Sequence, residues 1–228
     1  MGDARRRSLF DRSAETSPLL MAHIHSYVVR YDSGFAPNPF YGVCTLATCK
    51  PAIRKSAVLG DWVVGSASND RTIRRGGHLV FAMRVTEALT FAEYNADPRF
   101  QQKKPYRQGS RKQSCGDNIY FRAPVNGVWN QRDSFHSRPN GEADERHIRR
   151  DTGVDRVLIS VDFVYFGGEG PLIPADLVDQ RGQHLSKRGI GRTRFDDPEL
   201  FNRFEFWIRS FGVNGYQGKP QEWISLRG

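Results

Sequence analysis

The sequence predicts an α+β fold: a small mixed β-barrel with short flanking helices and a C-terminal amphipathic helix. Three observations predict it. The run Leu59-Gly60-Asp61-Trp62-Val63-Val64-Gly65-Ser66-Ala67-Ser68 is a Gly-Asp turn leading into a β-branched and aromatic stretch. After a polar loop closed by Gly76-Gly77 it is answered by Leu79-Val80-Phe81-Ala82-Met83-Arg84-Val85, and the two read as neighbouring strands. Residues 157–166 form a nearly continuous apolar run, expected as one strand either buried on both faces or central to the barrel. Beyond Asp197-Pro198, Leu200, Phe201, Phe204, Trp207, Ile208 and Phe211 recur at helical spacing until Gly212. That aromatic stripe reads as core.

With 228 residues, the chain has enough Val, Ile, Leu, Phe and Trp to fill a core. One elaborated domain is expected over residues 22–228, with a long insertion at residues 99–151. A formal charge of +9 and a pI near 9.7 favour a polyanionic partner, DNA or a nucleotide. The three cysteines, Cys44, Cys49 and Cys115, cannot all pair, which points to a reducing, cytoplasmic compartment. No apolar run approaches the length of a membrane span, so no membrane partner is expected. Residues 1–21 are polar, and Arg5-Arg6-Arg7 lacks the apolar stretch a twin-arginine signal needs, so this segment reads as a disordered leader. Cys44 and Cys49 lack the close spacing of a zinc knuckle, and His23 and His25 have no evident partners. No metal site is expected, and the sequence assigns no cofactor.

Along the chain, Ile24 to Tyr31 forms a first strand, ended by Asp32-Ser33-Gly34. The loop Phe35-Ala36-Pro37-Asn38-Pro39-Phe40-Tyr41-Gly42 joins two stiffening prolines to three aromatics and an amide. It suits either a rigid wall beside a planar ligand or a plug packed on its own aromatics. Cys44, next to that loop, is either a nucleophile or a small core residue. Thr90 and Glu93 have the spacing of a capping box. From Arg99 to Lys112 the chain is basic and aromatic, and Lys103, Lys104, Arg107, Arg111 and Lys112 are candidate phosphate contacts. Residues 123–151 read as a long polar loop carrying Trp129, Gln131, Ser134, His136 and Ser137. The glycine-punctuated basic stretch Arg181 to Arg194 is either phosphate-facing or merely flexible.

Two resemblances follow. The Gly-Asp strand, the strand Val80 to Glu87, the run Val157 to Tyr165 and Leu172-Ile173-Pro174-Ala175-Asp176-Leu177 together resemble EVE domains of the PUA-like superfamily. That resemblance implies a PUA-like (EVE/ASCH-like) barrel that binds nucleobases. At Ser66 and Ala67 the chain departs from the aromatic and histidine those domains commonly carry. A second set of motifs is similar to the nucleotide modification associated domain family, second type, from about Ile24 to Pro174. It comprises Phe35-Ala36-Pro37-Asn38-Pro39-Phe40, Cys44-Thr45-Leu46-Ala47, Cys49-Lys50-Pro51, Gly60-Asp61-Trp62-Val63, Lys103-Lys104-Pro105, Gly116-Asp117-Asn118-Ile119-Tyr120 and Tyr165-Phe166-Gly167. It implies a role in making or recognising modified DNA bases.

Together these readings predict a protein that binds a flipped or modified nucleobase in DNA. The expected pocket is lined by Phe35, Asn38, Phe40, Tyr41, Ser66, Asn69, Asn118, Tyr120 and Trp129, and stacking and edge hydrogen bonds would offset the cost of flipping. If the pocket is also catalytic, Asp32, Cys44, Asp117 and His136 are the candidate bases or nucleophiles. The alternative outside nucleic acid is a non-catalytic interaction scaffold.

Overall fold

A computed structural model describes residues 22–70, 74–187, 189 and 191–225. The leader expected over 1–21 lies outside them. Among the described residues the strands are β1 (Ile24–Val29), β2 (Cys44–Leu46), β3 (Trp62–Ala67), β4 (Leu79–Arg84), β5 (Glu87–Leu89), β6 (Tyr120–Arg122), β7 (Trp129–Gln131), β8 (Val157–Ser160), β9 (Asp162–Tyr165), β10 (Arg192–Phe195) and β11 (Gly215–Tyr216). The helices are α1 (Pro51–Ser56), α2 (Phe91–Ala96), α3 (Arg111–Ser114), α4 (Glu145–Thr152), α5 (Pro198–Ser210) and α6 (Gln221–Ser225).

The fold is α+β, and its sheets do not close into a barrel. Among the described residues a six-stranded sheet runs β10-β1-β3-β4-β9-β11, a three-stranded sheet β2-β8-β5 and a two-stranded sheet β6-β7. The predicted neighbours β3 and β4 do pair antiparallel, Trp62 opposite Arg84. β3 also runs parallel to β1, with Ile24 opposite Trp62, so the chain between them must cross over one face of the sheet. That crossover carries the aromatic loop, β2, Cys49 and α1. Every residue of β3 is buried because both faces are covered. Gly65 is needed there: a Cβ would stand 2.2 Å from the Phe81 ring and 2.7 Å from Val29.

The run expected as one strand at 157–166 is two. β9 pairs with β4 in the large sheet and β8 pairs with β5 in the small one. The chain corners at Val161, which is 58% exposed. The corner is held by the Thr86 hydroxyl, which accepts from Val161 N at 3.2 Å, and by the Ser160 hydroxyl, which donates to Asp162 O at 2.7 Å. This bend lays the small sheet against the large one instead of closing a barrel.

Three cores result. Tyr27, Val63, Phe81, Met83, Leu158 and Phe163 fill the space between the sheets under α1. On the other face of the large sheet α5 buries Leu200, Phe204 and Ile208, with Phe204 edge-on to Trp62 at 5.5 Å. Asp197 caps α5 through Glu199 N and Leu200 N, as the sequence predicts. Each of those buried side chains contributes about 1.5–3 kcal/mol. The third core, Phe35, Phe91, Tyr94, Phe100, Ile119, Tyr120 and Ile148 among others, sits under the region expected as an insertion. Residues 123–151 are therefore not one polar loop, since they contain β7 and most of α4. The Thr90–Glu93 capping box starts α2. His23 and His25, expected without partners, both meet the carboxylate of the Gly60-Asp61 turn: His25 Nε2 lies 3.0 Å from Asp61 Oδ2 and His23 Nδ1 3.3 Å from Oδ1. No described helix is long and apolar enough to cross a membrane.

Candidate active site

After β2 the chain turns sharply into α1. Cys49 and Lys50 both adopt left-handed backbone, φ +58° and +41°, before Pro51 starts the helix. Such residues cost about 1–3 kcal/mol each and persist only where their surroundings hold them. Here Arg54 holds them. Its guanidinium is 0% exposed and donates to four carbonyls: Cys49 O (2.9 Å), Asp151 O (2.6 Å), Val154 O and Arg156 O (both 2.7 Å). It thereby fastens the cysteine turn to the end of α4.

α4 is capped by Asp144, which accepts from Arg146 N, and it turns Ile148 and Asp151 inward. Asp151 accepts from Cys49 N at 3.1 Å, Tyr120 OH at 2.9 Å and Arg150 Nε at 3.0 Å. Its Oδ2 lies 2.9 Å from His136 Nδ1. The opposite nitrogen, His136 Nε2, lies 3.4 Å from Cys49 Sγ. The His136 ring is wedged between Phe35, edge-on at 4.8 Å, and His147 at 4.2 Å. A carboxylate on Nδ1 fixes the proton there in the neutral ring and leaves Nε2 to accept from the thiol.

Burial opposes the charge on Asp151, but the hydrogen bonds from His136 and Arg150 outweigh it and hold the carboxyl well below its usual range. Burial would likewise favour neutral His136, yet its bonds to Asp151 and Cys49 raise its pKa. Burial and the nearby Asp151 push the Tyr120 phenol far up, so it remains a donor. Cys49 is half-buried, and Arg150 Nη2 stands 4.0 Å from its sulfur. Thiol, imidazole and buried carboxylate in series are the parts of nucleophilic catalysis: the base takes the thiol proton and the carboxylate orients the base and steadies its charge. An open cleft of about 580 Å³, lined by Ser137, Arg138, Pro139, Asp144, Arg146 and His147, reaches the cluster at His147. Among the described residues no His, Cys, Asp or Glu group is arranged to hold a metal ion.

Of the residues singled out from sequence, His136 and Tyr120 belong to this cluster and Phe35 forms its wall. Most of the others are interior. Cys44 is fully buried 3.8 Å from Met83 Sδ, and burial pushes its thiol up to about 12, which removes it as a nucleophile. Lys103, 1% exposed, donates to Asn38 O, Asn38 Oδ1 and Val43 O, so it reaches no phosphate. Asn38 in turn donates to Cys115 O at 2.8 Å. Asp117 accepts from Thr45 and Tyr94, both at 2.7 Å, and the Asn118 amide donates to Tyr94 O and Phe100 O. All three are buried framework, although the Asn118 Oδ1 has no hydrogen-bond partner among the described residues. Asp32 is buried, accepts from the Tyr165 hydroxyl and Gln221 N, and burial pushes its carboxyl up to about 6.

Phe40 is buried and stacked on Trp223 at 5.5 Å, so the aromatic loop is a plug. Tyr41 is 37% exposed, Ser66 is buried, and Asn69 is exposed beside Gly76. Trp129 is half-buried under the Arg122 guanidinium at 4.1 Å. Lys104 is held by the Gln101 side chain; Arg107, Arg111 and Lys112 are exposed. Arg107 lies 4.5 Å over the Phe135 ring, and Phe135, 43% exposed, packs on Phe35 at 5.7 Å. Sequence reasoning missed Cys49 as a nucleophile and missed Asp151, Arg54, His147 and Arg150 altogether. The one signal was Cys49-Lys50-Pro51, a cysteine two residues before a proline that opens a helix.

A family model described as nucleotide modification associated domain 2 matches residues 21–227, a span that contains Cys49, His136 and Asp151. No curated protein and no solved structure matches the chain.

Proposed function

The chain belongs to the nucleotide modification associated domain 2 family, and on that premise we propose that it is a nucleotide-modifying enzyme whose nucleophile is Cys49, with His136 as base and Asp151 holding His136. The observation that carries this reading is the series from Sγ to Nε2 at 3.4 Å and from Nδ1 to Oδ2 at 2.9 Å, ending on a half-buried thiol. A structural cysteine has no use for an oriented imidazole and a buried carboxylate behind it.

The substrate in this reading is a nucleobase within DNA, in keeping with the charge of +9. In a duplex the base must leave the stack at a cost of a few kcal/mol, roughly what stacking on one aromatic ring returns. Phe135, covered by Arg107 and adjoining Phe35 and His136, offers that ring at the mouth of the site. Arg111 and Lys112 lie exposed for backbone phosphates. The test is mass spectrometry of nucleosides from DNA co-expressed with the protein. A new nucleoside mass is expected with the native chain and none with Cys49→Ala. A new mass that persists in Cys49→Ala contradicts the assignment, and selective binding of modified oligonucleotides with no new mass makes the protein a reader.

A further inference from the structure

We infer that the cleft between the β6–β7 hairpin and α4 is a second nucleic-acid subsite, in which an unpaired base flanking the one at Cys49 stacks on the Arg122–Trp129 pair while Arg149 holds a phosphate. The inference rests on the reading that the substrate is a base within a DNA strand.

The helix α4 serves two sites with two faces. His147, Arg150 and Asp151 face the Cys49 cluster. Glu145, Ile148, Arg149 and Thr152, spaced i, i+3, i+4 and i+7, share another face. Together with the hairpin residues Arg122, Gly127, Val128 and Trp129, that second face encloses an open cleft of about 480 Å³. A helix is about 10 Å thick, roughly three base steps of a strand, so one short strand reaches both sites.

The cleft offers a planar stack that is set before any ligand arrives. Phe91 meets the Trp129 ring edge-on at 5.7 Å, and the Arg122 guanidinium lies over it at 4.1 Å. Arg122 is fixed in turn, because its Nη1 donates to Gly127 O at 2.9 Å. Arg122 is exposed, so the side of its guanidinium away from the indole is open to a further flat group. Every base has a π-face, and a guanidinium plane backed by an indole accepts one without reading its sequence. Val128, 56% exposed, and Ile148 supply apolar walls. Little ordering remains to oppose binding.

Charge completes the fit. Arg149 is exposed, and among the described residues its guanidinium has no hydrogen-bond or ion-pair partner. Glu145 is the acid of the lining, one turn before Arg149 and not paired with it, and the two arginines outweigh it. A flat apolar face beside an anion is what a nucleotide presents, and a stacking plane beside an unpaired guanidinium is its complement. An acidic peptide would meet the arginines but leave the stacking plane unused.

The test compares two fluorescein-labelled single strands of equal length binding to the full chain. One has mixed sequence; the other is made entirely of abasic sites, which keeps the phosphates and removes the bases. Arg122→Ala and Trp129→Ala are each expected to weaken binding of the mixed strand on the order of 10-fold, with the abasic strand within roughly twofold. Trp129→Phe, which keeps a ring, is expected to recover most of the loss. Arg149→Ala is expected to weaken both strands alike and to lower the salt slope by about 0.7. Trp129 packs against the third core, so Arg122→Ala, at an exposed position, decides the matter should Trp129→Ala not fold. An equal effect of Arg122→Ala on both strands, or no effect on either, overturns the stacking subsite and leaves the DNA reading standing. A native chain that binds neither strand overturns the DNA reading and the subsite with it.

Discussion

Asp117 and Asp151 are buried carboxylates, each accepting from a tyrosine of the third core, Tyr94 at 2.7 Å and Tyr120 at 2.9 Å. Their remaining partners differ. Around Asp117 stand Thr45 and, nearby, Lys103, all interior. Around Asp151 stand His136 and Arg150, and through His136 the network continues to a half-buried thiol. Burial dominates at Asp117 and pushes its carboxyl up against the opposing effect of Lys103. At Asp151 burial is outweighed by the hydrogen bonds of His136 and Arg150. A buried carboxylate thus supports chemistry where its partners lead out to a reactive group, and otherwise it only fixes the fold.

The comparison breaks most sharply under isosteric substitution. Asp151→Asn is expected to slow acylation of Cys49 by p-nitrophenyl acetate roughly 10³–10⁴-fold, because an amide leaves His136 free to take the wrong tautomer, while Asp117→Asn leaves the rate per folded molecule nearly unchanged. Initial rates beside circular dichroism decide it, and comparable losses in both variants would erase the distinction. Next in size, Lys103→Met leaves the Asn38 and Val43 oxygens without their donor and is expected to cost about 3–5 kcal/mol of stability in urea melts. The iodoacetamide rate at Cys49 should be unaffected while the chain remains folded.

The pH dependence has opposite signs at the two sites. Asp117 is raised in the folded state, so its contribution is most favourable below the unfolded carboxylate value of about 3.9 and is lost as pH climbs toward the folded value. Asp151 is depressed, so its contribution is present above that value and is lost as pH falls below it. In urea melts Asp117→Asn should therefore gain on the native chain as pH rises from about 4, whereas Asp151→Asn should lose least against it in acid. Parallel curves for the two variants would contradict the difference between the sites. The smallest effect concerns DNA: neutralising Arg107, Arg111 or Lys112 should each lower the salt slope of binding by about 1, while Lys103 contributes nothing to it.

What was legible in the sequence was local. The cap and stripe of α5, the capping box of α2 and the Gly60-Asp61 strand pair are each written in residues a few positions apart. The split at Val161 was not, because the hydroxyl that holds the corner, that of Thr86, comes from the distant link between β4 and β5. The aromatic loop with its two prolines reads equally as wall or plug, and the packing of Phe40 on Trp223 decides for plug. With the loop turned inward, Asn38, Asp117, Asn118 and Lys103 became an internal network rather than a pocket. His136 stood out because polar and aromatic residues crowd around it. Cys49 and Asp151 did not, since one precedes a helix and the other ends a run of surface arginines, and they meet across 102 positions of chain.

The most direct test of the central assignment is the alkylation rate of Cys49 by iodoacetamide, followed peptide by peptide in the native chain and in His136→Ala. If His136 is the base for this thiol, the native chain should label at Cys49 at least about 10²-fold faster than the variant, with Cys44 and Cys115 slow in both. Equal rates at Cys49 in the two proteins would contradict the account.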